Sequence, residues 1–267
     1  MSTLTYTVSD SATMLRRNLR RMVRYPSVTV LLLGMPVVFM LLFVYVFGGT
    51  LGAGLGGLSG GRTAYANYVA PGILLLTVAS VAQGTAISVA MDMTEGIIAR
   101  FRTMAISRAS VLTGHVLGSV IQAVLSIAVV FGVALLIGFR PTASPLAWLG
   151  AIGVLVMISF ALTWLSVALG LVAKGVESAS NTPMFMMLLP FLGSGFVPTA
   201  SMPTGLRWFA EYQPFTPVNE TLRGLLMGTP IGDNAILAIA WCAAIALLSY
   251  LWAKRLYNRP RATAQPG

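Results

Sequence analysis

Charged residues are scarce in this chain of 267 residues. Only 9% of the residues are Asp, Glu, Lys or Arg, whereas a soluble domain is normally about a quarter charged. Hydrophobic residues make up 57% of the chain, and the mean hydropathy is +0.83. This composition excludes a water-soluble globule and predicts a protein that lies mostly within a membrane.

Cysteine and histidine are almost absent, with one residue of each, Cys242 and His115. A single cysteine excludes an intramolecular disulfide, and one His with one Cys is too few for the usual zinc sites. No metal site is therefore expected. No Ser-His-acid triad is expected either, because His115 is interpreted as a lone residue at a membrane boundary.

The sequence lacks a Gly-Lys dipeptide, because both of its lysines, Lys174 and Lys254, follow alanine. This absence excludes a P-loop of the GxxxxGK[ST] type, so ATP hydrolysis by that route is not expected. The stretch 48–61 contains GxGxxG, but a nucleotide-binding motif needs a preceding strand and a later acidic residue. We interpret 48–61 as a flexible external loop.

Long apolar runs are what the chain has instead. A helix needs roughly 20 mostly apolar residues to cross a bilayer, and backbone groups in lipid must be paired, which favours helices. We predict an all-α integral membrane protein with a single transmembrane domain over 1–267. Its six predicted spans are 28–48, 68–91, 116–138, 147–173, 179–197 and 234–252.

The basic residues border these apolar runs and predict the orientation. Thirteen of the 17 Lys and Arg residues fall on one side of the predicted spans. The positive-inside rule then places both termini and 92–108 in the cytoplasm, and 198–233 outside. The net charge of +10 is thereby explained by topology and contact with the lipid bilayer, and no nucleic-acid partner is expected.

Residues 10–25 form a basic amphipathic segment, with five arginines largely opposite an apolar stripe. The pattern is typical of an interfacial helix lying on an anionic leaflet. A disordered basic arm is the alternative. Pro26 ends the segment and lets the chain turn into the bilayer.

The external stretch 198–233 is too apolar and aromatic for a simple solvated loop. Its prolines divide it into short pieces, of which 204–212 and 217–227 fit half-helices. Irregular backbone at membrane depth must be buried in protein or face water. We therefore predict a re-entrant hairpin in the outer leaflet, with a mobile surface loop as the alternative.

The predicted spans carry no carboxylate near their middle, which weakens an ion-coupled mechanism. They do carry uncharged polar residues, which either join helices or line a path for an amphiphilic substrate. The candidates for such a pathway are Gln83, Gln122, Ser159, Thr163 and Asn181.

Residues 92–108 concentrate five of the 24 formal charges between two apolar flanks. A short helix here would present Phe101 and Met104 to the groove of a cytoplasmic partner, with Arg100 and Arg102 reaching its acidic residues. A plain loop that holds arginines on the inside is the alternative, and charge alone does not separate the two.

Three stretches of the sequence resemble a known family. EGIIARFRTMAISRASVLTGHVL, SGFVPTASMP and LRWFAEYQPFTPVNETLRGLLMG are similar, in order and spacing, to type-2 ATP-binding-cassette permeases, in particular the daunorubicin/doxorubicin-resistance exporter group. The resemblance covers essentially the whole chain. One departure is Ala105, where relatives commonly carry proline.

The resemblance implies partners and site residues. Two permease copies, identical or related, would pair, and each would bind a separate ATPase subunit that carries ATP and magnesium, with no cofactor on the permease. The coupling element would comprise Glu95, Gly96, Arg100, Phe101, Arg102 and Thr103, and the external gate would comprise Phe196, Pro198, Met202 and Pro203.

These patterns together favour the permease subunit of an exporter of hydrophobic or amphiphilic small molecules, such as drugs or antibiotics, in the cytoplasmic membrane. Export of a lipid or lipid-linked glycan is the first alternative. An ion-coupled carrier and a scaffold without transport activity are the remaining ones.

Overall fold

A computed structural model describes Arg16, Arg24 and residues 26–56, 61–96 and 108–258, and within these ranges all regular structure is helical. The interfacial helix predicted at 10–25 lies outside the described residues except for its two isolated arginines. Most of the segment 92–108 lies outside them as well.

The described helices are numbered here in chain order. α1 is Pro26–Leu41 and continues through a π-helical segment, Leu42–Phe47, into α2 (Gly48–Gly56). The interpretation of 48–61 as a flexible loop is therefore wrong for 48–56, which are helical. The remaining helices are α3 (Arg62–Thr94), α4 (Arg108–Ile137), α5 (Pro145–Val172), α6 (Val176–Asn181), α7 (Met184–Leu188), α8 (Thr204–Tyr212), α9 (Phe215–Met227) and α10 (Asn234–Asn258), with a 3₁₀ turn at Thr199–Ser201.

Five helical stretches in the described part are long and apolar enough to cross a membrane: Leu32–Ala53, Arg62–Thr94, Leu112–Ile137, Pro145–Val172 and Asn234–Tyr257. Each overlaps a span predicted from the sequence. The prediction of an all-α, multi-pass membrane protein is confirmed, whereas six crossings and the cytoplasmic position of the termini stay predictions.

The region predicted as a fifth span, 179–197, is not one continuous helix. It contains α6 and α7, followed by turns up to residue 196. Pro183 and Pro190 lie at the interruptions, where proline has no N–H to donate and its ring clashes with the preceding turn. Hydropathy alone does not predict these breaks, because the whole region is apolar.

Helix α3 lies at the centre of the bundle. It packs against α1, α4, α5 and α9, and every residue from 69 to 82 is buried. In the most apolar stretch of α3, 78% of the residues are buried, whereas in the corresponding stretch of α10 only 17% are buried. A helix that is apolar all round is stable only when other helices surround it or lipid does, and here protein surrounds α3 while α10 keeps an exposed apolar face.

Close backbone contact joins α3 to α5. A Cβ atom on Gly170 of α5 would lie 2.7 Å from the carbonyl oxygen of Ala86 and 2.9 Å from Cβ of Val89. Small residues at helix interfaces allow the backbones to approach in this way. This crossing fixes the position of the C-terminal half of α3, and the predicted coupling segment follows that end of the helix.

The buried apolar side chains form two clusters. The larger one surrounds α3 and includes Phe139, Phe196 and Phe215. A second, smaller cluster joins the end of α3 to the ends of α5 and α10 and the start of α4, through residues such as Val89, Val116, Trp164 and Tyr257. The second cluster therefore supports the end of the bundle that carries Asp92 and His115.

Candidate functional site

The turn region 189–198 is named the gate segment because it contains Phe196 and Pro198, two residues predicted to form the external gate. It connects α7 to the 3₁₀ turn and is held at Ser194. The carbonyl oxygen of Ser194 accepts three hydrogen bonds: from the Tyr68 hydroxyl at 3.1 Å, from Asn219 Nδ2 at 3.1 Å and from Arg223 Nη2 at 2.7 Å. These donors come from α3 and α9, so a single backbone carbonyl joins the gate segment to both helices.

The other polar atoms of Ser194 are also bonded to α9. Its backbone N–H donates to Thr216 Oγ1 at 3.2 Å, and its hydroxyl oxygen accepts from Asn219 Nδ2 at 3.1 Å. Two residues further on, the carbonyl of Phe196 accepts from the Tyr65 hydroxyl at 3.0 Å. The gate segment is thus fixed through its backbone, by side chains that belong to the neighbouring helices.

Arg223 is the charged residue at the centre of this polar cluster. Its side chain is 10% exposed and lies 2.5 Å from the carboxylate of Glu220, which is 32% exposed. The guanidinium carbon stands 3.8 Å from the centre of the Tyr68 ring, and Nη2 also donates to the Tyr68 carbonyl at 3.2 Å. Burial of a guanidinium is costly unless paired, and these contacts offset that cost.

Gln213 continues the polar cluster at the turn between α8 and α9. Its Nε2 donates to the Leu189 carbonyl at 3.2 Å, and its Oε1 accepts from the backbone N–H of Phe215 at 3.1 Å. Gly193 passes so close to this turn that a Cβ atom there would lie 2.2 Å from Gln213 Nε2. The turn and the gate segment therefore pack as one unit.

An aromatic cluster lies beside the polar one. The rings of Phe191 and Phe196 are stacked with centroids 4.3 Å apart, and Phe43 of the π-helical segment lies 4.6 Å from Phe196. Phe39 approaches Phe191 edge-on at 5.3 Å. The contact between Phe43 and Phe196 makes the first helix part of the same region. Phe43 also lies in a π-helical segment, and such segments often occur at functional sites.

Gly72 and Gly195 mark the closest approach of α3 to the gate segment. A Cβ on Gly72 would lie 2.5 Å from the Gly195 carbonyl oxygen, and a Cβ on Gly195 would lie 2.7 Å from the Pro190 carbonyl oxygen. Both clashes are with backbone, which side-chain rotation cannot relieve. Glycine is therefore required at both positions for this arrangement.

The four residues proposed for the external gate occupy different environments. Phe196 is buried in the aromatic cluster, Pro198 and Met202 are half-buried, and Pro203 is exposed. Helices α8 and α9, at Thr204–Tyr212 and Phe215–Met227, lie close to the two pieces expected at 204–212 and 217–227. That this hairpin enters the outer leaflet stays a prediction.

The opposite end of α3 carries a second polar contact. Asp92 Oδ2 lies 3.1 Å from His115 Nε2, with side chains 2% and 6% exposed. The pair joins α3 to α4 on either side of the segment 97–107, which lies outside the described residues. His115 is therefore not a free boundary residue, and its partner 23 positions away could not be identified from sequence spacing.

The predicted coupling element is described only at its beginning. Glu95 is exposed and follows the last turn of α3, and Gly96 adopts a φ of +69°, a conformation that favours glycine. Arg100, Phe101, Arg102 and Thr103 lie outside the described residues. Their role in coupling stays a prediction.

The five pathway candidates occupy different environments. Ser159 and Thr163 are buried, and each hydroxyl donates to the carbonyl four residues earlier in α5. Gln83 Nε2 donates to the Ser180 carbonyl at 2.8 Å, which joins α3 to α6. Gln122 is half-buried and Asn181 is exposed. A role in a pathway stays a prediction for all five.

Metal chemistry has no support in the described ranges. Among residues 26–56, 61–96 and 108–258 no group of three or more His, Cys, Asp or Glu side chains is placed to hold an ion. Cys242 is buried in α10 and is not disulfide-bonded.

A bundle of long apolar helices, with polar clusters at its two ends, defines a multi-pass membrane protein. Residues 11–227 match the family described as ABC-2 type transporter. The match covers most of the chain, and the protein belongs to this family. The resemblance found in the sequence is thereby confirmed.

Named relatives of the family are similar along much of the chain. The daunorubicin resistance ABC transporter permease protein DrrB1 of Streptomyces coeruleorubidus is 28% identical over 256 residues, which cover 96% of this chain and 88% of the relative. The probable doxorubicin resistance ABC transporter permease protein DrrC of Mycobacterium tuberculosis is 24% identical over 163 residues, or 61% of this chain and 59% of that protein.

Proposed function

We propose that this chain is the membrane subunit of an ATP-driven exporter of hydrophobic or amphiphilic small molecules. The observation that carries the proposal is the similarity to a daunorubicin resistance permease over 96% of the chain. The sequence lacks a P-loop of its own, so ATP and magnesium would be bound by a separate ATPase subunit. The permease itself would be no enzyme.

Two polar clusters at opposite ends of α3 support different roles for those ends, one in gating and one in coupling to the ATPase. The Ser194 cluster holds the gate segment, with the aromatic residue Phe196 packed beside it. The Asp92–His115 pair holds the ends of α3 and α4, from which the coupling element extends. Helix α3 is one continuous helix between them, so a displacement at the cytoplasmic end would move the gate end as well.

The cycle we propose is a change between two arrangements of the bundle. ATPase closure at the coupling element would favour the arrangement in which the external gate opens, because a partner shifts a conformational equilibrium only by its differential affinity for the two states. Release of the hydrolysis products would restore the closed gate. Two permease copies, identical or related, would enclose the path.

The experiment that tests this proposal uses inverted membrane vesicles that contain the chain and its ATPase. With daunorubicin as the probe, we expect ATP-dependent accumulation that is lost in the double variant Arg100→Glu, Arg102→Glu, because reversed charge opposes the acidic surface expected on the ATPase. Arg207→Glu on exposed α8 is the matched control. Full export by the double variant would contradict coupling through this segment.

Export of a lipid or lipid-linked glycan is the alternative that the sequence leaves open, because a polar headgroup on an apolar tail is also an amphiphilic cargo. Stimulation of the ATPase in nanodiscs, by daunorubicin or by purified lipids, distinguishes the two. An ion-coupled carrier would instead transport without any ATPase and stop when the ion gradient collapses.

A further inference from the structure

We propose that Arg223 is a positioning residue that latches the external gate shut through the backbone carbonyl of Ser194, together with Asn219 and Tyr68. This inference rests on the proposed function insofar as it treats the gate segment as a gate. By charge pattern alone, Arg223 is one of the four basic residues on the predicted outer side, and the role proposed for it comes from its contacts.

Arg223 is placed in a way that simple solubility or topology does not require. An arginine on an external helix serves topology equally well when its head group reaches water, and long side chains usually extend to do so. Arg223 instead turns inward, and its side chain is only 10% exposed. Arg207 on α8 provides the contrast, with a side chain that is 49% exposed and pairs with Glu211 on the surface.

The target of Arg223 is the backbone of the gate segment. Its Nη2 lies 2.7 Å from the Ser194 carbonyl oxygen, and the residue that follows Ser194 makes the closest contact with Gly72 of α3. A hydrogen bond to a charged donor is roughly twice as strong as a neutral one. The latch therefore acts where a small displacement would separate the gate segment from α3.

The cluster is over-supplied with donors and is incompletely satisfied. A carbonyl oxygen has two lone pairs, yet three donors converge on that of Ser194. Within the described part of the chain, Arg223 Nε and Asn219 Oδ1 are buried and have no hydrogen-bond partner. Buried polar groups without partners are unusual in folded proteins and disfavour the state that contains them.

This combination is what a releasable latch needs. Closure supplies the charged hydrogen bond and the ring contact of Arg223 with Tyr68. Opening would admit water to the two unpartnered atoms, which offsets part of the loss. The closed and open gates are thereby brought near enough in free energy for a partner ATPase to choose between them.

The test measures access to Ser194 from outside the cell. In a Cys242→Ala background, Ser194→Cys places a thiol at a position that is 2% exposed, while the latched group, a backbone carbonyl, is unchanged. The full chain, expressed in cells with its partners, is treated with a membrane-impermeant maleimide. The labelling rate is measured relative to total thiol after denaturation.

We expect slow labelling of the parent reporter chain and at least tenfold faster labelling in Arg223→Gln. Arg223→Lys, which keeps the charge but not the planar fork, should fall between the two. Tyr68→Phe, which removes one donor and keeps the ring, should accelerate labelling about threefold. Arg207→Gln is the matched control and should stay within twofold of the parent.

Three results would overturn the latch: parent and Arg223→Gln labelled at the same rate, a parent already labelled at the rate of an exposed thiol, or Arg207→Gln accelerated as much as Arg223→Gln. If Arg223→Gln does not reach the membrane, the folded Tyr68→Phe chain decides, and an unchanged rate there counts against the latch. Labelling needs no cargo, so faster labelling without daunorubicin export would sustain the latch and refute the proposed cargo.

Discussion

Substitution of Gly72 by alanine tests the packing of the gate segment against α3. The added Cβ would lie 2.5 Å from the Gly195 carbonyl oxygen and 2.8 Å from the Gly195 Cα. Ordinary carbon–oxygen contacts are longer than 3 Å, and the obstructing atoms are backbone, so the gate segment must move away from α3. Forcing an extra methyl group into a packed core costs typically about 1–3 kcal/mol.

The cost should fall on the closed gate, because Gly195 belongs to the gate segment and α3 is held by helices on several sides. A change of about 1–3 kcal/mol alters an equilibrium roughly 5- to 150-fold. We therefore expect Gly72→Ala to accelerate labelling of the Ser194→Cys reporter within this range. The purified chain should also unfold at a lower temperature.

A matched control separates packing from the general effect of alanine. A Cβ on Gly153 of α5 would meet no atom within 4 Å, and alanine stabilises a helix by about 0.5–1 kcal/mol relative to glycine. Gly153→Ala should leave labelling and export unchanged. Equal labelling rates and equal unfolding temperatures in Gly72→Ala and Gly153→Ala would refute the proposed packing constraint.

Further predictions concern the two ends and the middle of α3. His115→Ala removes the 3.1 Å contact to the buried Asp92 carboxylate. We expect it to lower the free energy of unfolding by about 1–3 kcal/mol and to weaken binding of the ATPase in a pull-down assay. An unchanged complex and an unchanged melting temperature would argue against the role of this pair. Phe43→Leu and Phe196→Leu should show a coupling of about 0.5–1.5 kcal/mol in a double-mutant cycle on thermal stability, because their rings lie 4.6 Å apart, and additive effects would exclude a direct interaction. Gly170→Ala should destabilise the bundle by about 1–3 kcal/mol, because its Cβ would lie 2.7 Å from the Ala86 carbonyl oxygen, and a neutral result would contradict the close α3–α5 crossing.

The positions of the long helices could be predicted from hydropathy because bilayer thickness fixes the length of an apolar run. The span predicted at 68–91 lies within α3, which extends over Arg62–Thr94. Hydropathy did not predict that α3 would be surrounded by protein while α10 would not, since both runs are similarly apolar. That difference depends on which helices pack together, and the hydropathy of one apolar run does not determine this.

The interruption of 179–197 was available in the sequence but was outweighed by hydropathy. Pro183 and Pro190 lie inside this run, and a proline within a helix pattern ends or kinks it. At 204–212 and 217–227 the prolines were used to divide the chain, and α8 and α9 begin and end within two residues of those limits. The same rule would have divided the fifth predicted span, but it would also have divided the first and second, where Pro36 and Pro71 lie inside helices α1 and α3.

The polar clusters were beyond sequence reasoning because their contacts are distant along the chain. Arg223 and Tyr68 are 155 positions apart, and Asp92 and His115 are separated by the coupling segment. Charge counting assigned Arg223 to the outer side and His115 to a boundary, without revealing their partners. The signal in the sequence was a charged residue close to an apolar stretch. It indicates the region of each cluster but not which side chains are in contact.

The dependence of transport on a separate ATPase is the central claim, and daunorubicin uptake into inverted vesicles tests it most directly. Vesicles that contain this chain with its ATPase should accumulate the drug when ATP is added. Vesicles in which the P-loop lysine of the ATPase is replaced by alanine should accumulate none. Equal uptake by the chain alone, sustained by an ion gradient and insensitive to ATP, would contradict the account.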